Sequence, residues 1–130
     1  MENQNIVKKL LPRSWRTQAM HERYEEGRQS DVKNPSVCPL CEAKTIEKFE
    51  HWRIITNKYP YDAVALVHEM IIPIRHCVEK ELNEAEIAEY TELKQSVLNQ
   101  KYSHIFEALP KSKSIPGHHH LHLIIPKIVG

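Results

Sequence analysis

The stretch His118-His119-His120-Leu121-His122-Leu123-Ile124-Ile125-Pro126 carries the clearest structural and chemical signal in this chain. Side chains alternate across a β-strand, so a strand here places three histidines on one face, about 6.5 to 7 Å apart in their Cα positions: His118, His120 and His122. The opposite, core-facing set is apolar apart from one ring: His119, Leu121, Leu123 and Ile125. Near pH 7 a neutral imidazole is a nucleophile, an acid or base, or a metal ligand. The pattern predicts a functional site; a histidine-rich metal tract or an accident of composition is the alternative.

Length and composition narrow the possible functions. The 130 residues are enough for one domain with one hydrophobic core. There are nine histidines but only three glycines, Gly27, Gly117 and Gly130, and no GxxxxGK[ST] or GxGxxG phosphate-binding loop can be written from them. The formal net charge of +1 gives no strong nucleic-acid or membrane signal.

Cellular location is predicted from the N-terminal segment and the cysteines. Residues 1–15 have no long apolar core, so we expect neither a secretory signal nor a membrane anchor. Three cysteines cannot all pair within one chain, and without an export signal their spacing favours metal or redox use. A cytoplasmic location is the expectation.

The order of elements predicts an α+β fold with an antiparallel sheet of about five strands and one long helix. Strands are expected over residues 51–57, 63–72, 102–109 and 118–126. Asn83, with Glu86 three positions later, predicts the capped start of the helix. Its core-facing stripe is expected to be Ile87, Tyr90, Leu93 and Val97.

Two segments are expected along the chain. Residues 1–34 are charged and have an interrupted helical pattern broken by Pro12, which predicts a helical or partly ordered extension. Residues 35–130 are expected to form the folded domain.

The histidine pattern resembles the His-φ-His-φ-His-φ-φ signature of the histidine triad (HIT) family, with His119 at a position where the family usually has an apolar residue. Three further segments resemble the family in the same order, and the resemblance covers roughly residues 38–127: NKYPY at 57–61, MIIPIRH at 70–76 and IPGH at 115–118. The resemblance implies a HIT-like fold.

The resemblance also implies a reaction. It is a two-step nucleotidyl transfer or hydrolysis that acts on the phosphoanhydride or phosphoramidate bond of a nucleotide or nucleotide conjugate. By position, His120 is the nucleophile that forms a nucleotidyl-histidine, and His122 lies against the phosphate oxygens. Asn57 stands where the family holds the ribose hydroxyls, and an amide both donates and accepts, as a diol requires. A homodimer is implied as well.

Cys38-Pro-Leu-Cys41 is a second candidate site. The spacing supplies half of many tetrahedral zinc sites, and two buried thiols or a redox pair are the alternatives. The resemblance implies that His76 and His118 complete a Cys2His2 site with one structural zinc per chain. Cys77 is interpreted as a core thiol.

The segment before the triad departs from the family. Most members have glycines and an asparagine there, whereas residues 105–114 contain neither. Ser114 is a candidate hydroxyl donor and Lys113, like Lys111, a candidate partner for phosphate charge; a solvated loop is the alternative. The departure leaves the identity of the nucleotide open.

The remaining four histidines are interpreted as surface or core residues: His21, His51, His68 and His104. Trp15 and Trp52 are interpreted as core or interface residues and not as base-stacking platforms. Two further functions compete with the enzyme. One is a non-catalytic HIT-fold module that binds nucleotide, RNA or a partner protein. The other is a metal-buffering protein, in which His120 and His122 also bind metal.

Overall fold

A computed structural model describes residues 15–33 and 37–127. The predicted α+β fold is confirmed. Its strands are β1 (Thr45–Lys48), β2 (Trp52–Ile55), β3 (Ala65–Pro73), β4 (His104–Phe106) and β5 (Leu121–Pro126). Its helices are α1 (Gln18–Lys33), α2 (Glu84–Gln95) and α3 (Val97–Lys101), with short 3-10 turns at Glu79–Glu81 and Pro110–Ser112.

The five strands form one antiparallel sheet in the order β1-β2-β3-β5-β4. Strands β3 and β5 are therefore neighbours at its centre. Met70 pairs with His122 and His68 pairs with Ile124. Because paired residues share a face, His68 lies diagonally across from His122 on the same side of the sheet.

The two faces of the sheet carry separate apolar clusters. On the helix face, strand residues pack against the residues that α2, α3 and the following turn supply: Trp52, Ile54, Ile71, Leu121 and Leu123 with Leu93, Leu98 and Tyr102. The other face, here called the site face, has a smaller cluster: Leu40, Ile55, Met70 and Ile72. The two clusters enclose β3 and β5 from both sides.

The capped start of the long helix is confirmed. Asn83 accepts a hydrogen bond from the Glu86 N–H, and the Glu86 carboxylate accepts one from the Asn83 N–H. The expected stripe is wrong at Ile87, which is 51% exposed. Glu86 is buried in its place, because its carboxylate receives two hydrogen bonds from Arg75 and its carbonyl receives one from the indole of Trp52. The helix also breaks at Ser96, so it consists of α2 and α3.

The histidine strand is shorter than predicted. Its ladder begins at Leu121, and residues 118–120 precede it. The partner strand ends at Pro73, which has no N–H to offer. The backbone of the histidine segment forms a different hydrogen bond, from the His119 N–H to the carbonyl of Cys77. Cys77 is buried, which confirms its interpretation as a core thiol.

Other boundaries also differ from the expectation. The strand expected over 102–109 is reduced to β4, and β1 was not predicted. Strand β1 has mostly exposed side chains, so it lacks the apolar alternation that identifies a strand from sequence.

The described part of the N-terminal extension contains α1. Residues 15–17, which precede α1, contact the loop between β2 and β3. Pro12 and the apolar residues near it lie outside the described residues, as does the boundary at residues 34 and 35, which stays a prediction. None of the helices in the described ranges is long and apolar enough to cross a membrane.

Candidate active site and metal centre

The four predicted metal ligands lie together. Cys38 and Cys41 stand in the turn before β1, His76 in the loop after β3, and His118 just before β5. One ligand atom from each residue lies within 4.8 Å of the others. Two thiols and two imidazoles are a donor set typical of tetrahedral metal sites.

The His118 ring is oriented so that one of its nitrogens can coordinate a metal ion. Its Nε2 lies 3.0 Å from the Pro73 carbonyl, which only accepts, so Nε2 carries the proton. The Nδ1 lone pair then faces Cys38 Sγ at 3.6 Å and Cys41 Sγ at 3.4 Å. His76 Nδ1 lies 3.3 Å from Cys41 Sγ. A backbone hydrogen bond that fixes the tautomer of a ligating histidine is a common feature of metal sites.

Arg53, on β2, holds the cysteine turn in place. Its guanidinium donates to the carbonyls of Leu40, Cys41 and Ala43 at 2.8, 3.1 and 2.8 Å, and to Thr45 Oγ1 at 2.8 Å. Carbonyls that would otherwise require water are thus satisfied by one side chain. The same group places a positive charge beside the thiols.

His120 is buried with one ring nitrogen committed. Its Nδ1 lies 2.9 Å from the carbonyl of His118, so Nδ1 carries the proton and donates. Burial lowers the pKa of His120, and the charge of Lys113 adds to this effect. The neutral ring therefore presents the lone pair of Nε2, which is the nucleophilic form of an imidazole.

His68 and His122 form a directed pair. The Tyr61 N–H donates to His68 Nδ1 at 2.8 Å, so the proton of the neutral His68 ring is on Nε2. That Nε2 lies 2.7 Å from His122 Nδ1 and donates to it. The proton of His122 is then on Nε2, where it is available as a hydrogen-bond donor to a ligand.

Burial keeps both rings of this pair neutral. It lowers the pKa of His68 to about 4, with a further contribution from the charge of Arg16. It lowers the pKa of His122 to about 3, with contributions from His68, His120 and Arg16. Neutral rings are what the directed hydrogen bonds require.

Asn57 lies beside the pair. Its Nδ2 is 3.1 and 3.2 Å from the two ring nitrogens of His68, and its Oδ1 accepts from the Tyr59 N–H at 3.0 Å. The predicted sugar-binding amide is thus next to the histidines.

The other two predicted substrate-binding residues lie on the loop before the triad. Lys113 is half-buried and near enough to lower the pKa of His120, whereas Ser114 is exposed. Their contact with a substrate remains a prediction.

An aromatic group that the sequence analysis did not assign to the site adjoins His122. The ring of Tyr61 stacks on His122, with centroids 5.3 Å apart and planes at 29°, and lies 4.3 Å from His68. The ring of Trp15 is edge-on to that of Phe106, with centroids 5.3 Å apart. It is tilted by 31° to the ring of Tyr61, with centroids 6.2 Å apart. We call Trp15, Tyr61 and Phe106 the aromatic wall.

His68 is buried, as the core alternative of its interpretation requires, but its contact with His122 was not predicted. His68 precedes Met70 by two residues on a strand, so alternation indicates that both side chains lie on the same face. Which residue of the neighbouring strand lies beside His68 depends on the β3–β5 register, which the sequence alone does not determine. The interpretation of Trp52 as core is confirmed, whereas Trp15 is half exposed beside the site.

Comparison with known proteins identifies the fold. No protein family model and no curated protein matches the sequence. Among solved structures, the chain is similar to a hypothetical histidine triad nucleotide-binding protein from Sulfolobus tokodaii strain 7, with a TM-score of 0.52 and 23% identity over 77% of this chain and 68% of that one. It is also similar to a HIT family hydrolase from Clostridium thermocellum, with a TM-score of 0.50 and 18% identity over 77% of this chain and 90% of that one.

These similarities agree with the five-stranded sheet and with the histidine pattern at its centre. This chain therefore has the fold of the histidine triad proteins.

Proposed function

We propose that this chain is a histidine triad enzyme that transfers or hydrolyses the nucleotidyl group of a phosphoanhydride or phosphoramidate through a covalent intermediate on His120. The observation that carries the proposal is the hydrogen bond from His120 Nδ1–H to the carbonyl of His118, 2.9 Å long. It leaves the lone pair of Nε2 on a buried, neutral ring. A neutral imidazole held in one orientation meets the requirement for in-line attack.

In the first step, the Nε2 lone pair of His120 forms a bond to the α-phosphorus. The bond from phosphorus to the leaving group breaks, and the leaving group departs with that electron pair and takes a proton from solvent. The nucleotidylated ring of His120 is now an imidazolium, and its Nδ1–H still donates to the carbonyl of His118. That hydrogen bond strengthens as the ring becomes positive, so it favours the intermediate.

In the second step, water or another acceptor attacks the same phosphorus. The P–N bond breaks, its electron pair returns to Nε2, and the acceptor loses a proton to solvent. His120 is again neutral, and the products are a nucleotide or nucleotidyl conjugate and the earlier leaving group.

The other residues stabilise and position the transferred group. His122 Nε2–H donates to a phosphoryl oxygen, in the tautomer that His68 imposes. Lys113 and Ser114 contribute charge and a hydroxyl from the loop before the triad, and Asn57 binds the ribose hydroxyls. Phosphoryl transfer depends on such positioning and charge stabilisation.

We also propose that Cys38, Cys41, His76 and His118 hold one structural zinc ion per chain. Zinc bonds of about 2.3 Å to sulfur and 2.0 to 2.1 Å to nitrogen place S and N ligands about 3.5 Å apart in a tetrahedron. Three of the four S–N distances, those of Cys38 to His118 and of Cys41 to His76 and His118, are 3.3 to 3.6 Å. Four protein ligands leave no open position, so the ion would hold the cysteine turn against the segment that carries His120. The homodimer and the cytoplasmic location stay predictions.

The experiment is a turnover panel of nucleoside phosphoramidates and dinucleoside polyphosphates with the wild-type chain and His120→Asn. We expect turnover of at least one class by the wild type and its loss in the variant, with circular dichroism and zinc content unchanged. Asn at this position keeps a polar side chain but has no ring nitrogen for attack. Nucleotide binding without turnover by the wild type would instead support the non-catalytic binding module.

A further inference from the structure

We propose that Arg16 and Gly27, in the N-terminal extension, are positioning residues for the histidine pair of the site. They hold the loop between β2 and β3 (residues 56–64), and this loop carries the backbone N–H that determines the tautomers of His68 and His122. The expected effect on turnover rests on the proposed function. The tautomers themselves can be measured without any substrate.

The loop contacts the histidine pair through its backbone and through one ring of the aromatic wall. The Tyr61 N–H donates to His68 Nδ1 at 2.8 Å, and the Tyr61 ring stacks on His122. A displacement of this N–H by about 1 Å would take it beyond hydrogen-bond distance of the ring. The His68 proton would then no longer be confined to Nε2, and the direction of the bond to His122 would no longer be fixed.

Arg16 connects this loop to α1. Its Nε donates to the carbonyl of Tyr59 at 2.8 Å. Its guanidinium lies over two rings, with the Cζ atom 4.9 Å from the centroid of Tyr61 and 4.1 Å from that of Tyr24 on α1. Cation–π contacts of this kind attract a guanidinium to an aromatic face. Arg16 therefore joins the helix to the same ring that stacks on His122.

Gly27 allows α1 to approach the loop closely. A Cβ atom at this position would overlap the hydroxyl group of Tyr59 and lie 2.6 Å from its Cζ atom. The rings of Tyr24 and Tyr59 are edge-on to each other, with centroids 5.8 Å apart. Glycine is unfavourable in the interior of a helix, so its presence here is explained by this packing. A side chain at position 27 would push the helix and the loop apart.

The residues on either side of Arg16 hold the end of the loop that follows Tyr61. The Thr17 N–H and hydroxyl both donate to the carboxylate of Asp62 at 2.8 Å. The carbonyl of Trp15 accepts from the Ala63 N–H at 3.1 Å. Since Arg16 binds the carbonyl of Tyr59, the extension holds the chain both before and after Tyr61. The N–H that faces His68 is therefore held from both directions.

The first test measures the tautomers in the purified chain at pH 8, where neutral rings are expected. Long-range 1H–15N NMR spectra of the imidazole groups distinguish a protonated ring nitrogen from an unprotonated one. We expect the Nε2–H form at both His68 and His122 in the wild type. Arg16→Gln and Gly27→Gln should each give intermediate 15N shifts at His122, which indicate a mixture of tautomers. A pure Nε2–H form in both variants would overturn the proposal.

The matched control is Arg28→Gln, because Arg28 is the exposed neighbour of Gly27 on the same helix. It introduces the same side chain as the other two variants but away from Tyr59. Its spectrum should be that of the wild type. A mixture of tautomers in this control as well would show that any change in α1 disturbs the rings, and would overturn the specific roles of Arg16 and Gly27.

The second test is a double-mutant cycle on turnover. We expect Arg16→Gln and Gly27→Gln to lower kcat about 10-fold, and by no more than the complete loss of the partner in His68→Phe. In the His68→Phe background the same substitutions should change kcat less than about twofold, because the Tyr61 N–H then has no ring to orient. Equal losses in both backgrounds would overturn the proposal. Altered tautomers without turnover by any of the proteins would support the positioning role and contradict only the proposed function.

Discussion

His68 Nε2 donates a hydrogen bond of 2.7 Å to Nδ1 of His122. The direction of this bond follows from the Tyr61 N–H, which occupies the other nitrogen of His68 and can only donate. A backbone amide in the β2–β3 loop therefore determines which nitrogen of His122 carries its proton. In the proposed function, that nitrogen is the one that donates to the substrate.

Replacement of His68 should reduce turnover through His122. In His68→Phe, Nδ1 of His122 loses its donor and the ring is free to adopt the other tautomer. We expect kcat to fall about 10- to 100-fold, the usual effect of losing a partner that orients a functional group. His68→Gln retains an Nε2–H donor and should recover most of the loss. Equal defects in the two variants would contradict the positioning role.

Stability should fall as the pH is lowered below 6.5. The pKa of His68 is lowered to about 4, so between pH 6.5 and 4 the unfolded chain binds more protons than the folded chain. The free energy of unfolding therefore decreases as the pH falls through this window, by about 1 to 2 kcal/mol per histidine between pH 6.5 and 5. Urea unfolding at a series of pH values measures this slope.

His68→Gln provides the comparison for this pH dependence, because it removes one titrating ring and leaves the metal ligands intact. The slope between pH 6.5 and 5 should be smaller in the variant than in the wild type. An identical slope would show that other groups cause the loss.

The limits of the sequence analysis follow from contacts between distant segments. Alternation along the histidine segment predicted that the rings of His120 and His122 lie together, and their centroids are 5.3 Å apart, although His120 precedes the strand. The capping box at Asn83 was equally local. The partnership of His68 with His122 joins residues 54 positions apart and depends on strand register. Ile87 was misplaced because the buried carboxylate of Glu86, which is paired with the half-exposed Arg75, occupies the core-facing side of the helix.

Metal analysis should find one zinc ion per chain. Cys38→Ser removes one of four ligands, so we expect loss of bound zinc and a lower melting temperature, because binding to the folded state contributes to stability. Elemental analysis of the purified chain and thermal unfolding measure both. Two or more ions per chain would favour the metal-buffering function, and none would contradict the structural site.

Arg53 should raise metal affinity without being a ligand. Arg53→Ala leaves the three carbonyls of the cysteine turn without their donor, so we expect zinc affinity to fall about 10- to 100-fold in a chelator competition. Arg53→Lys keeps the charge but not the planar set of donors, and should recover little of the loss. Full recovery by lysine would show that charge, and not geometry, is responsible.

The most direct test of the central claim is a rapid-quench experiment under single-turnover conditions. Wild-type protein is mixed with less than one equivalent of substrate, quenched with alkali and digested, and the peptides are analysed by mass spectrometry. The account predicts a transient nucleotidyl adduct on the peptide that contains His120, labile to acid and absent in His120→Asn. Product formation with no adduct at any time, or an adduct on a different residue, would contradict it.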